Sequence, residues 1–125
     1  MSIVFADISV SADGFLAGPN PGHEHPLGMN GERLHEWIMD LYDWRASHGL
    51  EGGTRGEESD RMLASFESAG AFIMGRTMFE TGEGPWGDDP PFHRPVFVLT
   101  HEQKPAVSKE GGTTFHFVND GVESA

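Results

Sequence analysis

The chain has 125 residues, 37% hydrophobic and 22% charged, with 20 acids against 8 bases and a formal charge of −12. That length suits one domain of roughly 100–200 residues with one real core, and the composition excludes a disordered polymer. The acidity argues against nucleic acid and anionic membranes as partners, and the absence of cysteine excludes disulfides and thiolate metal sites.

The opening "MSIVFADISV" lacks the basic region and long apolar stretch of a signal peptide or membrane span, so a cytoplasmic protein is expected. Its β-branched run "IVFADISVS" predicts a mostly buried first strand. Asp7 falls inside that strand and is either a pocket carboxylate or an edge residue facing water. Ala12-Asp13-Gly14 signals a turn, and a short apolar piece, "FLAG", follows. The stretch "GPNPGHEHPLGMNG" is too rich in breakers for regular structure. His23 and His25 alternate there as metal ligands could, with His35 and His93 as further candidates. No spacing signature completes a set, so no metal is expected.

Residues 32–45 read as a helix, with Leu34, Trp37, Ile38 and Leu41 on one apolar stripe. Trp37 is a candidate pocket wall. "ASHGLEGGTRG" ends that helix, and Thr54 with Glu57, or else Ser59, offers the cap of a second one. Its inner side carries Met62, Leu63 and Phe66, and it ends near Gly70.

"AFIMG" is apolar throughout, as strands covered on both faces tend to be. "RTMFETG" then gives about two helical turns before the breaker-rich loop "GPWGDDPPFHRP". Pro95 leads into "VFVLTH", and after "EQKPAVSKEGG" comes a last strand, "TTFHFV". Asp120 and Glu123 have the spacing to begin another helix, so the chain end reads either as a crossover begun without a following strand or as a frayed tail. Strands separated by helices predict an α/β fold with a largely parallel sheet, in a single domain over residues 1–125.

Ligands in such sheets sit where strands meet their following loops. Three junctions here carry polar chemistry: residues 11–16, then Gly75-Arg76-Thr77, then Leu99-Thr100-His101. Gly75 permits close backbone approach, the helix start offers unpaired N–H groups, and Arg76 is a forked phosphate donor beside the Thr77 hydroxyl. The competing reading makes Gly75 a packing turn and Arg76 a solvated surface residue.

The segments "ADISVSADGFLAGPN", "AFIMGRTMFETG", "PWGDDPPFHRPVFVLTH" and "GGTTFHFV", in this order, resemble dihydrofolate-reductase-like proteins. The nearer subgroup is the C-terminal reductase domain of the bifunctional riboflavin-biosynthesis deaminase/reductase. The resemblance implies a three-layer α/β/α domain that binds NADPH and passes hydride to a small heterocyclic or carbonyl-type substrate. By it, Gly75, Arg76 and Thr77 would hold the 2′-phosphate, and Leu99, Thr100 and His101 would line the adenosine. Gly14, Phe15 and Leu16 would cover the nicotinamide, and Asp7, Asp13 and Trp37 would face the substrate.

The riboflavin-pathway domains usually carry Lys after the Asp-Gly turn, where this chain has Phe15. Glu32, Glu36 and Asp40 are the acids available on the first helix, and none matches the family's proton-assisting position. Family members continue with a strand and a Gly-Gly turn, so the resemblance implies a chain covering the N-terminal two-thirds of the family domain. Two expectations follow: an NADPH-dependent oxidoreductase, or an incomplete binding module that associates, for example as a homodimer, through an unfinished sheet edge.

Overall fold

The computed structural model describes residues 2–125. Four strands form one sheet: β1 (Phe72–Gly75), β2 (Pro95–Leu99), β3 (Val107–Ser108) and β4 (Thr114–Val118), in the order β1-β2-β4-β3. Strands β1, β2 and β4 run parallel, and β3 pairs antiparallel with β4. The helices are α1 (Glu36–Met39), α2 (Tyr42–Ser47), α3 (Glu57–Ser68) and α4 (Arg76–Trp86). The mixed α/β class and the parallel pairing agree with the sequence.

Register explains the core. Phe72, Val96 and Phe115 align across the sheet, as do Met74, Val98 and Phe117, so all six project to one face. Phe79 and Trp86 of α4, Phe66 of α3 and Phe92 pack onto that face. Phe79 meets Phe115 and Phe117 edge-on, with centroids 5.0 and 5.1 Å away. Each such side chain, fully buried, contributes about 1.5–3 kcal/mol. The other face carries Ile73, Phe97, Leu99 and His116, none fully buried.

Several local expectations are corrected. The run at residues 2–10 joins no sheet: Ile3, Val4, Phe5, Ile8 and Val10 are each more than half exposed. Strand propensity is a local property, whereas pairing needs a neighbour, and no described strand lies alongside. "AFIMG" is an edge strand, not a strand covered twice, and Ile73 on its outer face is 48% exposed.

The helix expected over residues 32–45 is broken. A 3-10 turn (Gly31–Leu34) precedes α1, and Leu41 leaves helical geometry at φ −74°, ψ 139° to bridge Thr54. Thr54 N–H donates to Asp40 O at 2.7 Å and its carbonyl accepts from Tyr42 N–H at 2.9 Å, which replaces the lost helical bonds.

Neither Thr54 nor Ser59 caps α3; Gly56 holds that position without a side-chain bond. Helix α4 is longer than two turns because Gly84, Pro85 and Trp86 extend it into the expected loop. Near the C-terminus, Gly121 rather than Asp120 precedes a 3-10 turn (Val122–Ser124).

Candidate functional site

Parallel pairing brings two of the three polar junctions to one edge. Gly75 stands beside Leu99, and Leu99 beside Val118, so these strand tips are level. Thr100 N–H donates to Val118 O at 3.0 Å, carrying the ladder one step past the end of β2. Helix α4 begins at Arg76 with no gap after β1, and no described side chain caps it. Its first N–H groups therefore point past the strand tips as unpaired donors.

Gly75 is the N-cap of α4, a position that favours glycine over alanine. Its φ of −82° and ψ of 164° suit any residue. A Cβ built there meets no described atom within 4 Å. The packing-turn reading requires a neighbour that is absent among the described residues.

Arg76 is loosely held: its Nε lies 3.9 Å from a Glu80 carboxylate oxygen, and its side chain is 53% exposed. Thr77 and His101 are exposed and Leu99 is half-buried. Thr100 Oγ1 accepts from Glu102 N–H at 3.1 Å, so this hydroxyl closes its own turn while keeping its proton to donate.

Sequence reading missed Lys104. Its ammonium lies 5.6 Å from the centre of the Phe117 ring, one residue before the tip of β4, and 3.1 Å from a Glu102 carboxylate oxygen. It brings a second cation close to the same edge. Its sequence signal is only a lone Lys five residues past β2, and its position depends on how the β2–β3 connection folds back.

The other candidate residues lie elsewhere in the bonding pattern. Asp7 accepts from Ser65 Oγ, which ties it to the last turns of α3. Asp13 accepts from Ser11 Oγ at 2.6 Å, and Phe15 N–H donates to Ser11 Oγ at 2.9 Å. Gly14, at φ +90°, provides the left-handed corner of this self-contained turn. Phe15, Leu16 and Trp37 are exposed. Among the described residues, no group of three or more His, Asp or Glu could hold a metal ion.

An open cavity of about 380 Å³ lies among residues that precede β2, at the other end of the strands from Gly75. Leu63, Phe66 and Pro91 give it an apolar floor, with Asp43, Glu67 and Arg94 around it. Arg94 is engaged there: it donates to Phe92 O at 3.2 Å and to Glu67 O at 3.4 Å. A second cavity of about 220 Å³ adjoins Ser47, Trp86 and Pro91. Neither includes a residue of the strand-tip group.

No helix among the described residues is long and apolar enough to cross a membrane. No family model matches the chain, and no curated protein matches it.

Proposed function

We propose that the chain is an NADPH-dependent reductase built on a dihydrofolate-reductase-like, three-layer α/β/α plan, transferring hydride to a small heterocyclic or carbonyl-type substrate. The observation that carries this reading is the open, uncapped start of α4 at Gly75 and Arg76, level with the tip of β2. Gly75 leaves open space beside the uncapped start of α4, whose first residue, Arg76, is held only loosely towards Glu80 and is free to turn to a ligand there.

A phosphate there gains charge-assisted bonds and the helix dipole, which an otherwise acidic body does not offer. Arg76 would fork onto the 2′-phosphate, with Thr77 as a further donor and Leu99, Thr100 and His101 beside the adenosine. Lys104 would add positive potential at the same edge. The nicotinamide supplies the hydride when bound, and the protein contributes position and field.

The test is a thermal titration with NADPH. Binding raises stability by RT ln(1 + [L]/Kd), about 2.7 kcal/mol at a hundredfold excess over Kd. A midpoint that stays fixed at millimolar NADPH rejects the proposal.

A further inference from the structure

The cavity of about 380 Å³ between α2, α3 and the loop before β2 adjoins the one of about 220 Å³, and the two share Ser47 and Pro91. The larger has the volume of a small-ligand site, and its floor of Leu63, Phe66 and Pro91 is apolar.

Bonds within the chain fix the walls. Ser59 Oγ joins α3 to Asp43 of α2, and Thr113 Oγ1 holds the loop at Pro90 and at His93. His93 has φ 52°, a left-handed conformation that a residue with a side chain keeps where its surroundings impose it. Gly111 helps to impose it. Its carbonyl accepts from His93 Nδ1 at 2.9 Å, and a Cβ on Gly111 would strike that ring and the Asp89 carboxylate. Walls set in advance lose little freedom when a ligand enters.

The groups left unbonded in this lining define the ligand's chemistry. A backbone carbonyl only accepts, so His93 Nδ1 carries the ring proton and Nε2 of the neutral imidazole keeps its lone pair. Among the described residues, Asp43 uses one carboxylate oxygen, on Ser59, and Glu67 is engaged through its backbone carbonyl alone. Arg94 is occupied: it donates to two backbone carbonyls, and its guanidinium carbon lies 5.9 Å from the centre of the Phe66 ring. The open capacity therefore consists of acceptors over an apolar floor, in a chain of net charge −12 that attracts cations.

We infer that this cleft binds an organic cation: an ammonium, amidinium or guanidinium head on a small apolar body. The head sits on the Glu67 and Asp43 carboxylates and the body on Leu63, Phe66 and Pro91. Charge-assisted bonds to a carboxylate are roughly twice as strong as neutral ones, so charge selects the ligand more than shape does. The inference is independent of cofactor binding, because neither cavity includes a residue of the strand-tip group.

The experiment titrates three probes of nearly one shape into the isotope-labelled chain at neutral pH: cationic benzamidine, neutral benzamide and anionic benzoate. Millimolar benzamidine should shift the amides of Ser47, Leu63 and His93, and should bind about tenfold more tightly than benzamide, with benzoate weaker still. Glu67→Gln should remove most of that preference and melt as wild type, since the residue is exposed and its carboxylate holds no described group. Glu57→Gln, which removes the same charge from the first turn of α3, should bind benzamidine as wild type does. Benzamidine that shifts none of the three amides overturns the inference, as does benzamide or benzoate binding equally well. A Glu67→Gln variant that keeps the preference, or a Glu57→Gln variant that loses it to the same degree, overturns it too.

Discussion

Ser59 caps a helix other than its own. Its Oγ accepts the Asp43 N–H at 3.0 Å and donates to the Asp43 carboxylate at 2.7 Å, although the two residues lie 16 apart in sequence. Asp43 is the second residue of α2, whose N-cap Leu41 provides no side-chain bond. A residue inside α3 thus satisfies a donor that α2 leaves open, and Ser59 is 1% exposed as a result.

Ser59→Ala should therefore cost about 1–2 kcal/mol, the worth of a helix cap with a partly buried donor left unpaired. In a domain of this size the melting midpoint should fall by roughly 4–8 °C. Ser59→Thr keeps the hydroxyl but crowds a buried position. A melting curve for Ser59→Ala that overlays wild type would show that water replaces the bond without loss.

Thr113 fastens the loop before β2 to the start of β4. Its Oγ1 accepts from His93 N–H at 2.8 Å and donates to Pro90 O at 3.3 Å, and the residue has no exposed surface. Thr113→Val preserves shape and removes both bonds, stranding a part-buried donor and a buried acceptor. The expected loss is about 1–3 kcal/mol. Denaturant unfolding should show a lower midpoint at unchanged slope, and an unchanged midpoint would refute the account.

Gly82 sets two effects against each other. Alanine there gains about 1 kcal/mol of helix propensity. Its Cβ, however, would intrude on the Trp86 ring, which meets Phe92 edge-on at 5.0 Å and stacks near Phe115. Overpacking of that kind costs about 1–3 kcal/mol. Displacing an indole from two aromatic neighbours should outweigh the propensity gain, so Gly82→Ala should melt lower, with altered Trp fluorescence. A higher melting point would mean that Trp86 swings clear at little cost.

What the sequence disclosed follows the range of the forces involved. The apolar runs before Gly75 and Leu99 identify themselves because burial in a sheet core imposes composition locally. The common edge of Gly75 and Leu99 is implied once the strands are taken as parallel. The break at Leu41 is hidden because the stripe of Leu34, Trp37, Ile38 and Leu41 is a sound helix pattern. It yields to a bridge with Thr54, 13 residues further on, which no window around Leu41 contains. The run at residues 2–10 is the converse case: high strand propensity, with no described strand to receive it. Ser59 was legible as a cap by residue type, but which helix it serves depends on how α2 lies against α3.

Arg76→Ala separates the phosphate reading from a general effect on the fold. Its Glu80 partner is 3.9 Å away and both side chains are well exposed, so the pair adds little stability and the melting point should barely move. A guanidinium on the 2′-phosphate distinguishes the two nicotinamide cofactors. The variant should bind NADPH on the order of tenfold more weakly, about 1.4 kcal/mol, while NADH affinity stays level. Equal losses for both would remove the 2′-phosphate from Arg76.

Gly75→Ala tests the proposed site without touching any charge. The backbone there is ordinary β geometry and an added Cβ meets open space, so the fold has no reason to resist. Restricting the unfolded chain gains about 0.4–1 kcal/mol, and replacing the favoured glycine at the N-cap of α4 offsets that gain, so the apo protein should melt close to wild type. If the space before α4 is where a pyrophosphate or phosphate approaches the backbone, the methyl group occupies it. NADPH affinity should then fall by on the order of tenfold, with Arg76 still in place. Affinity should thus fall without a loss of stability, a combination that a merely damaged fold does not produce. An alanine variant that is as stable as wild type and binds NADPH as tightly would place the phosphate somewhere other than this helix mouth.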